Sequence, residues 1–345
     1  MKILEKTIAY SPPQLYSKID GIKSIDGTEA EGWLISVGGT PKEMLSHSPE
    51  FTYKRLIAAS KMAQKLGAEI MGLGAFTKVV GDAGVTVAKH SPIPITTGNS
   101  YSASAALWAA SEAMKKMDLV DIPKGKEKLK AKSMVIGATG AIGSVSSKLL
   151  SMVFDEIILC GRNTEKLKSL KNSIHQNSPD TKIIMTIDTN EYLSTADMIV
   201  TATSGAGKKI LDIMKVKPGC VITDVARPLD LNPEDVAKRP DVMYIESGEI
   251  EVPCRDDLQM RDIRLPKNVV FACMAETIVL ALEGRFEEYT IGRDIEWKKV
   301  KEIYKLGLKH GMKLAAISGV NGVYTKDDID KIRSLALKAR QENVN

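Results

Sequence analysis

A short apolar segment that ends in three evenly spaced glycines constrains this chain more than any other stretch. The segment reads Ser133-Met-Val-Ile-Gly-Ala-Thr-Gly-Ala-Ile-Gly-Ser144, and a helix-like run follows it. This order is typical of the first strand, turn and helix of a dinucleotide-binding unit. In such a unit Gly137 allows a tight turn, Gly140 lets the backbone approach a pyrophosphate, and Gly143 lets the helix pack on its strand.

The turn after this strand is predicted to hold the phosphates of a nicotinamide dinucleotide. A helix amino terminus presents unpaired N–H groups and partial positive charge, and both favour anions. The spacing G-x-x-G-x-x-G is less common than G-x-G-x-x-G, so the motif alone specifies only a strand, a turn and a helix. The predicted cofactor contacts are Gly137, Thr139, Gly140, Ala141, Ile142 and Gly143, together with Thr203 and Gly248 after later strands.

Further apolar runs alternate with helix-like stretches on the carboxy-terminal side of the motif. They are 156–160, 182–187, 196–202, 220–225 and 242–245. Such alternation predicts a parallel sheet that is covered on both faces and has its loops along one edge. The predicted fold class is therefore α/β, with a Rossmann-type doubly wound parallel sheet between a smaller amino-terminal α/β domain and a carboxy-terminal helical segment. The predicted domains are 1–129, 130–266 and 267–345.

The end of the second strand predicts which nicotinamide cofactor binds. Enzymes that use NAD usually carry Asp or Glu there, which binds the ribose 2′-OH. Here the strand is followed by Gly161, Arg162 and Asn163, and Glu156 lies at its other end. Because a guanidinium pairs bidentately with phosphate, Arg162 and Asn163 predict NADPH. The alternative is that Arg162 is only a solvated loop residue.

The composition restricts the partners and the location. Lys and Arg number 48 against 43 Asp and Glu, and the net charge of +5 is too small to predict a nucleic-acid partner. No apolar run approaches the roughly 18 residues of a membrane span and no secretory signal is visible, so we expect a cytoplasmic protein without an integral membrane segment. The four cysteines lack metal-ligand spacing and predict reduced thiols. The lysine-rich stretch 118–132 is either a solvated connector or a patch for an acidic carrier.

Two turns in the amino-terminal segment carry groups that suit anions and carbonyl oxygens. They are Leu73-Gly-Ala-Phe-Thr77 and Thr96-Thr-Gly-Asn-Ser-Tyr101, each between a predicted strand and a helix. Turns are also rich in Gly, Asn, Ser and Thr because of dihedral preference alone. The local sequence leaves both interpretations open.

Cys273 is the candidate nucleophile. It falls in the first turn of a predicted helix, where the helix dipole favours thiolate, and a thiolate attacks a thioester without a separate base. Glu276 follows one turn later, close enough to orient the thiol or to move a proton. The alternative is that Cys273 is a small buried residue and Glu276 a helix cap. Cys254, in a predicted polar loop, is the competing thiol, whereas Cys160 and Cys220 are predicted to be structural.

The chain resembles the long-chain acyl-[acyl-carrier-protein] reductases, which are NADPH-dependent enzymes that release fatty aldehydes. The resemblance covers roughly residues 33–316, and its most specific parts are the Thr-Thr-Gly-Asn and Phe-Ala-Cys-Met-Ala-Glu stretches. The matching stretches are Leu73-Gly-Ala-Phe-Thr77, Thr96-Thr-Gly-Asn99, Val135-Ile-Gly-Ala-Thr-Gly-Ala-Ile-Gly-Ser144, Phe271-Ala-Cys-Met-Ala-Glu276, Leu282-Glu-Gly284 with Ile291-Gly-Arg293, and Lys309-His-Gly311.

The resemblance implies a reaction in two steps, with Cys273 as the acylated nucleophile and Glu276 in the catalytic set. The thiolate attacks the acyl thioester, the carrier thiol leaves, and hydride from NADPH releases the aldehyde. Thr97 and Asn99 lie in a loop that suits an oxyanion and are its expected donors. The expected carrier is acyl carrier protein or coenzyme A, and we also expect a homo-oligomer and an aldehyde-consuming partner. The family tends to carry His shortly after this Asn, where the present chain has Ser100-Tyr101, so the acyl chain and the carrier stay open.

Two other functions fit parts of the sequence. A direct dehydrogenase of a hydroxy acid, amino acid or polyol needs a general acid–base instead of a cysteine, and Tyr101, Lys61 and Lys78 are its candidates. A sensor would bind NADPH without turnover, although the intact glycine motif disfavours it. Covalent labelling by an acyl thioester without NADPH distinguishes the thioester reductase from both.

Overall fold

The computed structural model describes residues 10–39, 41–74, 77, 81–123, 125, 127–203 and 209–342. The strands are, in chain order, β1 (Gln14–Lys23), β2 (Glu29–Ser36), β3 (Met71–Gly72), β4 (Ile95–Thr96), β5 (Leu129–Ile136), β6 (Phe154–Cys160), β7 (Lys182–Thr186), β8 (Met198–Thr201), β9 (Val221–Asp224), β10 (Met243–Glu246), β11 (Glu249–Glu251), β12 (Cys254–Gln259), β13 (Val269–Phe271), β14 (Lys313–Leu314), β15 (Ser318–Gly319) and β16 (Gly322–Val323). The helices are α1 (Pro41–Ser46), α2 (Pro49–Leu66), α3 (Val85–His90), α4 (Asn99–Met117), α5 (Ala141–Leu150), α6 (Thr164–Asn177), α7 (Pro233–Val236), α8 (Ala272–Leu282), α9 (Trp297–His310) and α10 (Lys326–Glu342).

The central sheet has parallel strands in the spatial order β7-β6-β5-β8-β9-β10. Counted along the chain this is the order 3-2-1-4-5-6 of a doubly wound Rossmann domain. The strands are continuous apolar runs because both of their faces are buried, and β8 and β9 are buried at every residue. The predicted α/β class with a Rossmann-type doubly wound parallel sheet is confirmed, and every strand that the sequence predicted for this sheet is present.

The core of this sheet is formed by large apolar side chains from its central strands and the connections between them. Met134, Ile158, Ile199 and Ile222 come from four neighbouring strands and pack in one cluster with Leu193. Burial of a side chain of this size stabilises the fold by about 1.5–3 kcal/mol. The sheet is therefore a rigid support for the loops at its carboxyl edge.

The chain folds into two compact units, each built from separated stretches of sequence. Unit 1 comprises the residues up to Ser102 together with Glu249–Ala315, and unit 2 comprises Ala103–Gly248 together with the residues from Ala316 onward. The sequence predicted three consecutive segments instead, and the structure divides the chain at other points. The reason is that β12, which lies in the predicted middle segment, pairs with β1 of unit 1.

Unit 1 contains the antiparallel sheet β12-β1-β2, the short parallel pair β3-β4 and the sheet β13-β11-β14. Cys254 is the first residue of β12 and does not lie in the polar loop that the sequence predicted. Helix α8 packs on β3 so closely that a Cβ on Gly72 would lie 2.1 Å from Oγ1 of Thr277. None of the helices in the described ranges is long and apolar enough to cross a bilayer.

Candidate active site

Cys273 is the second residue of α8 and is partly exposed. The sequence predicted that Cys273 lies in the first turn of this helix, and this is confirmed, because Val269–Phe271 pairs with β11 as a strand and the helix begins at Ala272. No side chain caps its first turn. The N–H groups of this turn therefore lie next to the thiol without an intrahelical partner.

The other thiols are poor nucleophiles, because a thiol must ionise before it attacks. Burial raises the pKa of the Cys160 thiol to about 12 and that of Cys254 to about 11. Cys220 is fully buried, and its pKa is also raised. The cysteines are not metal ligands either, because no group of three or more His, Cys, Asp or Glu in the part of the chain that the structure describes is placed to hold a metal ion. Cys273 is the remaining candidate among the cysteines.

The Thr-Thr-Gly-Asn turn lies directly against Cys273. Gly98 has a φ of +70°, and a Cβ at this position would lie 2.3 Å from Cα and 2.4 Å from Cβ of Cys273. The position thus excludes a side chain on both conformational and steric grounds. Helix α4 begins at the next residue, Asn99. The amino termini of two helices, α4 and α8, therefore meet at the thiol.

The Glu276 carboxylate is fully buried and joins the same turn to α8. The Thr96 hydroxyl donates to its Oε1, and the Tyr101 N–H donates to its Oε2 at 2.9 Å. The Thr96 hydroxyl oxygen also accepts from the Thr290 N–H at 3.1 Å, while the Thr97 N–H donates to the Thr290 carbonyl oxygen at 2.8 Å. These bonds fix the chain on both sides of the glycine in this turn.

The two predicted oxyanion donors have different surroundings. Asn99 is 4% exposed, and its side-chain amide makes no hydrogen bond to another described residue. Thr97 is fully buried, and its Oγ1 also has no partner among the described residues. A buried polar group without a partner costs about 1–3 kcal/mol, so the Thr97 hydroxyl is left with unused donor capacity at a cost in stability. Asn99 is the more accessible of the two.

The candidates for a general acid–base are less well placed. The Tyr101 hydroxyl is buried against α9, where a Cβ on Gly307 would lie 2.1 Å from its oxygen, and burial raises the pKa of this phenol. Lys61 lies on the exposed face of α2, and Lys78 lies outside the described residues. Ala75 and Phe76 of the first predicted turn also lie outside them. The direct-dehydrogenase hypothesis therefore gains no acid–base group from Tyr101.

His310 serves another part of unit 1. It is buried at the end of α9, with Nδ1 2.9 Å from the Ser24 hydroxyl and Nε2 3.4 Å from Oε2 of Glu283. Glu283 follows the last residue of α8, about 15 Å along the helix from Cys273 at 1.5 Å per residue. The imidazole is therefore not a partner of the thiol.

The glycine turn after β5 has the shape of a phosphate loop. Gly137 has a φ of +86°, and its Cβ would lie 2.6 Å from the carbonyl oxygen of Ala202. A Cβ on Gly143 would lie 2.1 Å from the carbonyl oxygen of Gly137, so α5 can pack on the turn only because Gly143 has no side chain. Gly140 is the N-cap of α5 and provides no side-chain cap. The first-turn residues with unpaired N–H groups are Ala141, Ile142 and Gly143.

The end of β6 lies beside this turn. A Cβ on Gly161 would lie 3.4 Å from Oγ1 of Thr139. Arg162 is exposed, and no carboxylate of the described residues forms an ion pair with it. The Asn163 side chain caps α6 by accepting the N–H of the third helical residue at 2.9 Å. A cationic side chain is thus available at the strand end, while Asn163 already has a structural role.

The opposite edge of the sheet holds the carboxylate of the second strand. Glu156 pairs with Lys132 at 3.1 Å and with Lys182 at 2.9 Å. Lys128, in the lysine-rich connector, donates to the Thr181 hydroxyl at 2.5 Å. The connector residues 124 and 126 lie outside the described residues. Two lysines of the connector are therefore already engaged within unit 2.

Two buried carboxylates at the carboxyl edge of the sheet were missed in the sequence. Asp224 ends β9 and accepts from the Tyr244 hydroxyl at 3.0 Å and from the N–H groups of Asp230 and Leu231 at 2.7 and 3.2 Å. Asp230 accepts from the Thr203 N–H at 3.0 Å and from the Thr203 hydroxyl. Burial, and then the charge of Asp230, raises the pKa of Asp224 to about 6. The sequence did carry one signal for this site, because Asp224 is an acidic residue near the end of the apolar run 220–225.

Thr203 and Gly248 both follow strands at this edge, Thr203 after β8 and Gly248 after β10. Asp230 fixes Thr203, and the residues 204–208 that continue its loop lie outside the described residues. Gly248 has a φ of +100° and open space around it. Both are therefore at the edge where a Rossmann domain binds its cofactor.

Comparison with known proteins in sequence gives a family model and several relatives. The family model for shikimate / quinate 5-dehydrogenase matches residues 122–252, which contain the parallel sheet. Aminotransferase PigE from a Serratia species is 30% identical over 318 residues, which are 92% of this chain and 36% of PigE. Long-chain acyl-[acyl-carrier-protein] reductase from Synechococcus elongatus is 26% identical over 322 residues, 89% of each protein. The chain thus spans about a third of PigE and most of the reductase.

Solved structures give weak resemblances. Quinate dehydrogenase from Corynebacterium glutamicum in complex with NAD is 11% identical, with a TM-score of 0.29 over 59% of this chain and 61% of that one. The ligand-free 5-ketofructose reductase of a Gluconobacter species is 11% identical, with a TM-score of 0.32 over 57% of this chain and 62% of that one. At these scores the fold assignment rests on the strand order of the sheet.

Proposed function

We propose that this protein is an NADPH-dependent oxidoreductase that reduces an acyl thioester to the aldehyde through an acyl-enzyme on Cys273. The observation that carries the proposal is the contact between Gly98 and Cys273, because it brings a partly exposed thiol to the amino termini of two helices. The identity to long-chain acyl-[acyl-carrier-protein] reductase supports this reaction class, and the match to a dehydrogenase family model supports an oxidoreductase. We propose acyl carrier protein or coenzyme A as the carrier.

In the first step Sγ of Cys273 forms a bond to the thioester carbonyl carbon, and the bond from that carbon to the carrier sulfur breaks. The carbonyl oxygen carries negative charge in the tetrahedral intermediate between these events. The amino termini of α4 and α8 place N–H groups and partial positive charge beside this oxygen. The Asn99 amide is a further donor, and one such donor is typically worth about 3 kcal/mol in the rate-limiting barrier.

The cofactor site belongs to unit 2, and its residues fit a nicotinamide dinucleotide phosphate. Backbone atoms occupy the space that a Cβ on Gly137 or Gly143 would need, so the turn is tight and the start of α5 lies directly against it. The N–H groups in the first turn of α5 are therefore available to a pyrophosphate. The exposed guanidinium of Arg162 suits a 2′-phosphate. When bound there, NADPH would supply a hydride to the acyl carbon, and the bond from that carbon to Sγ of Cys273 would break, which releases the aldehyde and the Cys273 thiolate.

The experiment that tests the proposal is intact-mass measurement of the protein mixed with palmitoyl-CoA or palmitoyl-acyl carrier protein in the absence of NADPH. We expect an increase of one palmitoyl group in the wild type and in Cys254→Ala, and none in Cys273→Ala. Addition of NADPH should discharge the adduct and release the aldehyde. Absence of any adduct, or full turnover by Cys273→Ala, would contradict the proposal and leave the direct dehydrogenase as the leading function.

A further inference from the structure

We infer that Glu276 is a positioning residue, whose carboxylate holds the 96–101 turn on α8 so that Gly98 and Asn99 stay beside Cys273. The inference rests on the proposed function, since it concerns the geometry in which Cys273 is acylated. The sequence left two roles open for this residue, one in orientation and one in proton transfer, and the contacts in unit 1 favour the first.

The bonds of the carboxylate go to both ends of the turn. Thr96, which donates its hydroxyl to Oε1, precedes Gly98 by two residues, and Tyr101, which donates its N–H to Oε2 at 2.9 Å, follows it by three. Tyr101 is the third residue of α4, so Glu276 caps this helix from a different helix. The carboxylate therefore fixes where α4 begins.

The same carboxylate lies on the face of α8 that carries the thiol. Glu276 and Cys273 are three residues apart in α8, a spacing at which side chains are neighbours on a helix surface. The turn that Glu276 holds is the one whose glycine touches Cys273. A shift of the turn would thus move Asn99 away from the carbonyl oxygen that it is proposed to bind.

Two features of the Glu276 carboxylate disfavour proton transfer, namely its burial and the hydrogen bonds that its oxygens already accept. A general base needs a path to the reacting atoms or to water. Glu276 has no exposed surface, and each of its oxygens already accepts a hydrogen bond. The network extends further, because the Thr290 hydroxyl donates to the Ser100 hydroxyl at 2.8 Å. Hydrogen bonds therefore hold the turn on both sides of Gly98.

Glutamine and alanine distinguish the two roles. We call the two hydrogen bonds from residue 276 to Thr96 and Tyr101 the clamp. In Glu276→Gln the amide oxygen can accept from the Tyr101 N–H while the amide nitrogen donates to the Thr96 hydroxyl oxygen, so the clamp persists without a titratable group. Glu276→Ala removes the clamp. We expect acyl-enzyme formation within about five-fold of the wild type for Glu276→Gln and slower by about 100-fold for Glu276→Ala, the size of effect that a misplaced site produces.

The experiment measures single-turnover formation of the palmitoyl adduct from palmitoyl-CoA by intact mass, with Glu283→Gln at the other end of α8 as the matched control. Iodoacetamide alkylation of Cys273 between pH 6 and 10 is measured on the same variants. Should Glu276→Ala fail to fold, Thr96→Val takes its place and Thr96→Ser is its conservative rescue. The inference requires slow acylation in Glu276→Ala or Thr96→Val, recovery in Glu276→Gln or Thr96→Ser, and an unchanged pH midpoint of alkylation in Glu276→Gln.

Two results would overturn the inference. If Glu276→Gln is as slow as Glu276→Ala and its alkylation midpoint moves, the carboxylate transfers a proton; if Glu276→Ala acylates like the wild type, the clamp is dispensable. Failure of the proposed function is a separate result, because it appears as the absence of an adduct in the wild type. In that case the alkylation rates decide, since a clamp predicts a changed rate in Glu276→Ala and a wild-type rate in Glu276→Gln.

Discussion

Gly98 meets two requirements at one position, a left-handed backbone and room for the backbone of Cys273. The sequence predicted a turn at a helix start here, because Thr-Thr-Gly-Asn is rich in turn residues. It did not predict the contact with Cys273, since no local pattern relates residues so far apart in the chain, and the family resemblance implied only that Thr97, Asn99 and Cys273 act on the same acyl group. The acidic residues Asp224 and Asp230 were missed for a similar reason, because their burial depends on loops from different strands.

Substitution of Gly98 by alanine should impair the site more than the fold. The added Cβ would lie 2.3 Å from Cα of Cys273, so we expect acyl-enzyme formation to fall about 100-fold. Gly27→Ala is the matched control in unit 1, since Gly27 has a φ of +92° and no atom within 4 Å of a Cβ. The free energy of unfolding of Gly27→Ala should fall by about 1 kcal/mol, because a residue with a Cβ is less stable in the left-handed conformation. Its acylation rate should equal that of the wild type. Equal acylation by the two variants would contradict the close contact.

The buried Asp224 predicts how stability depends on pH. Its folded-state pKa of about 6 exceeds the ordinary value of 3.8, so the folded protein holds this proton more tightly than the unfolded chain does. The contribution of Asp224 to the free energy of unfolding therefore falls as the pH rises from about 4 to 6, by roughly 3 kcal/mol in total. Urea denaturation gives the free energy of unfolding of the wild type and of Asp224→Asn at pH 4 and pH 7. Relative to the wild type, the free energy of unfolding of the variant should rise by about that amount between pH 4 and pH 7. An equal difference between the two proteins at both pH values would contradict the prediction.

Elements buried on both faces were the most predictable. The strands of the parallel sheet are found where the apolar runs lie, because such strands need no polar alternation. Strand β1 was missed, since only part of it is buried and its sequence mixes Lys, Asp and Gly with apolar residues. Strand β13 was also missed, because an apolar run such as Val269–Phe271 fits a helix or a strand equally well.

The loop after β6 predicts the cofactor preference. Arg162→Gln should weaken NADPH binding by about 10- to 100-fold, since a hydrogen bond to a charged group is worth about 1.5–3 kcal/mol, and should leave NADH binding unchanged. Lys130→Gln removes a positive charge from the exposed start of β5, at the opposite edge of the same sheet, and serves as the control. Dissociation constants for both cofactors can be measured by fluorescence titration. An equal loss for NADPH and NADH would exclude a 2′-phosphate contact.

At the scale of the whole molecule, the sequence predicted consecutive domains where the structure has interleaved units. Local periodicity shows where strands and helices form, but it does not show that β12 pairs with β1. The sheet of unit 2 was predictable because all six of its strands come from one continuous stretch. Unit 1 was not, because its two stretches are separated by that sheet.

The interleaving predicts that residues 1–129 do not fold alone. This fragment lacks β12, which pairs with β1, and α8, which packs on β3. We expect its far-UV circular dichroism to show little ordered structure and its thermal scan to lack a cooperative transition, whereas the full chain should show one. A cooperative transition in the fragment would contradict the division into these two units.

The course of the chain through unit 1 also fixes when the site can form during translation. Residues up to Ser102 are synthesised before the rest of unit 1, which is complete only at Ala315. At synthesis rates of 5–20 residues per second, this interval lasts roughly 10–40 s. For most of that time, until Glu276 has been added, Gly98 has no Cys273 to pack against. The nascent chain therefore carries the first stretch of unit 1 unfinished while Ala103–Gly248 of unit 2 is made, and a ribosome that stalls in between leaves β1 without its partner strand β12.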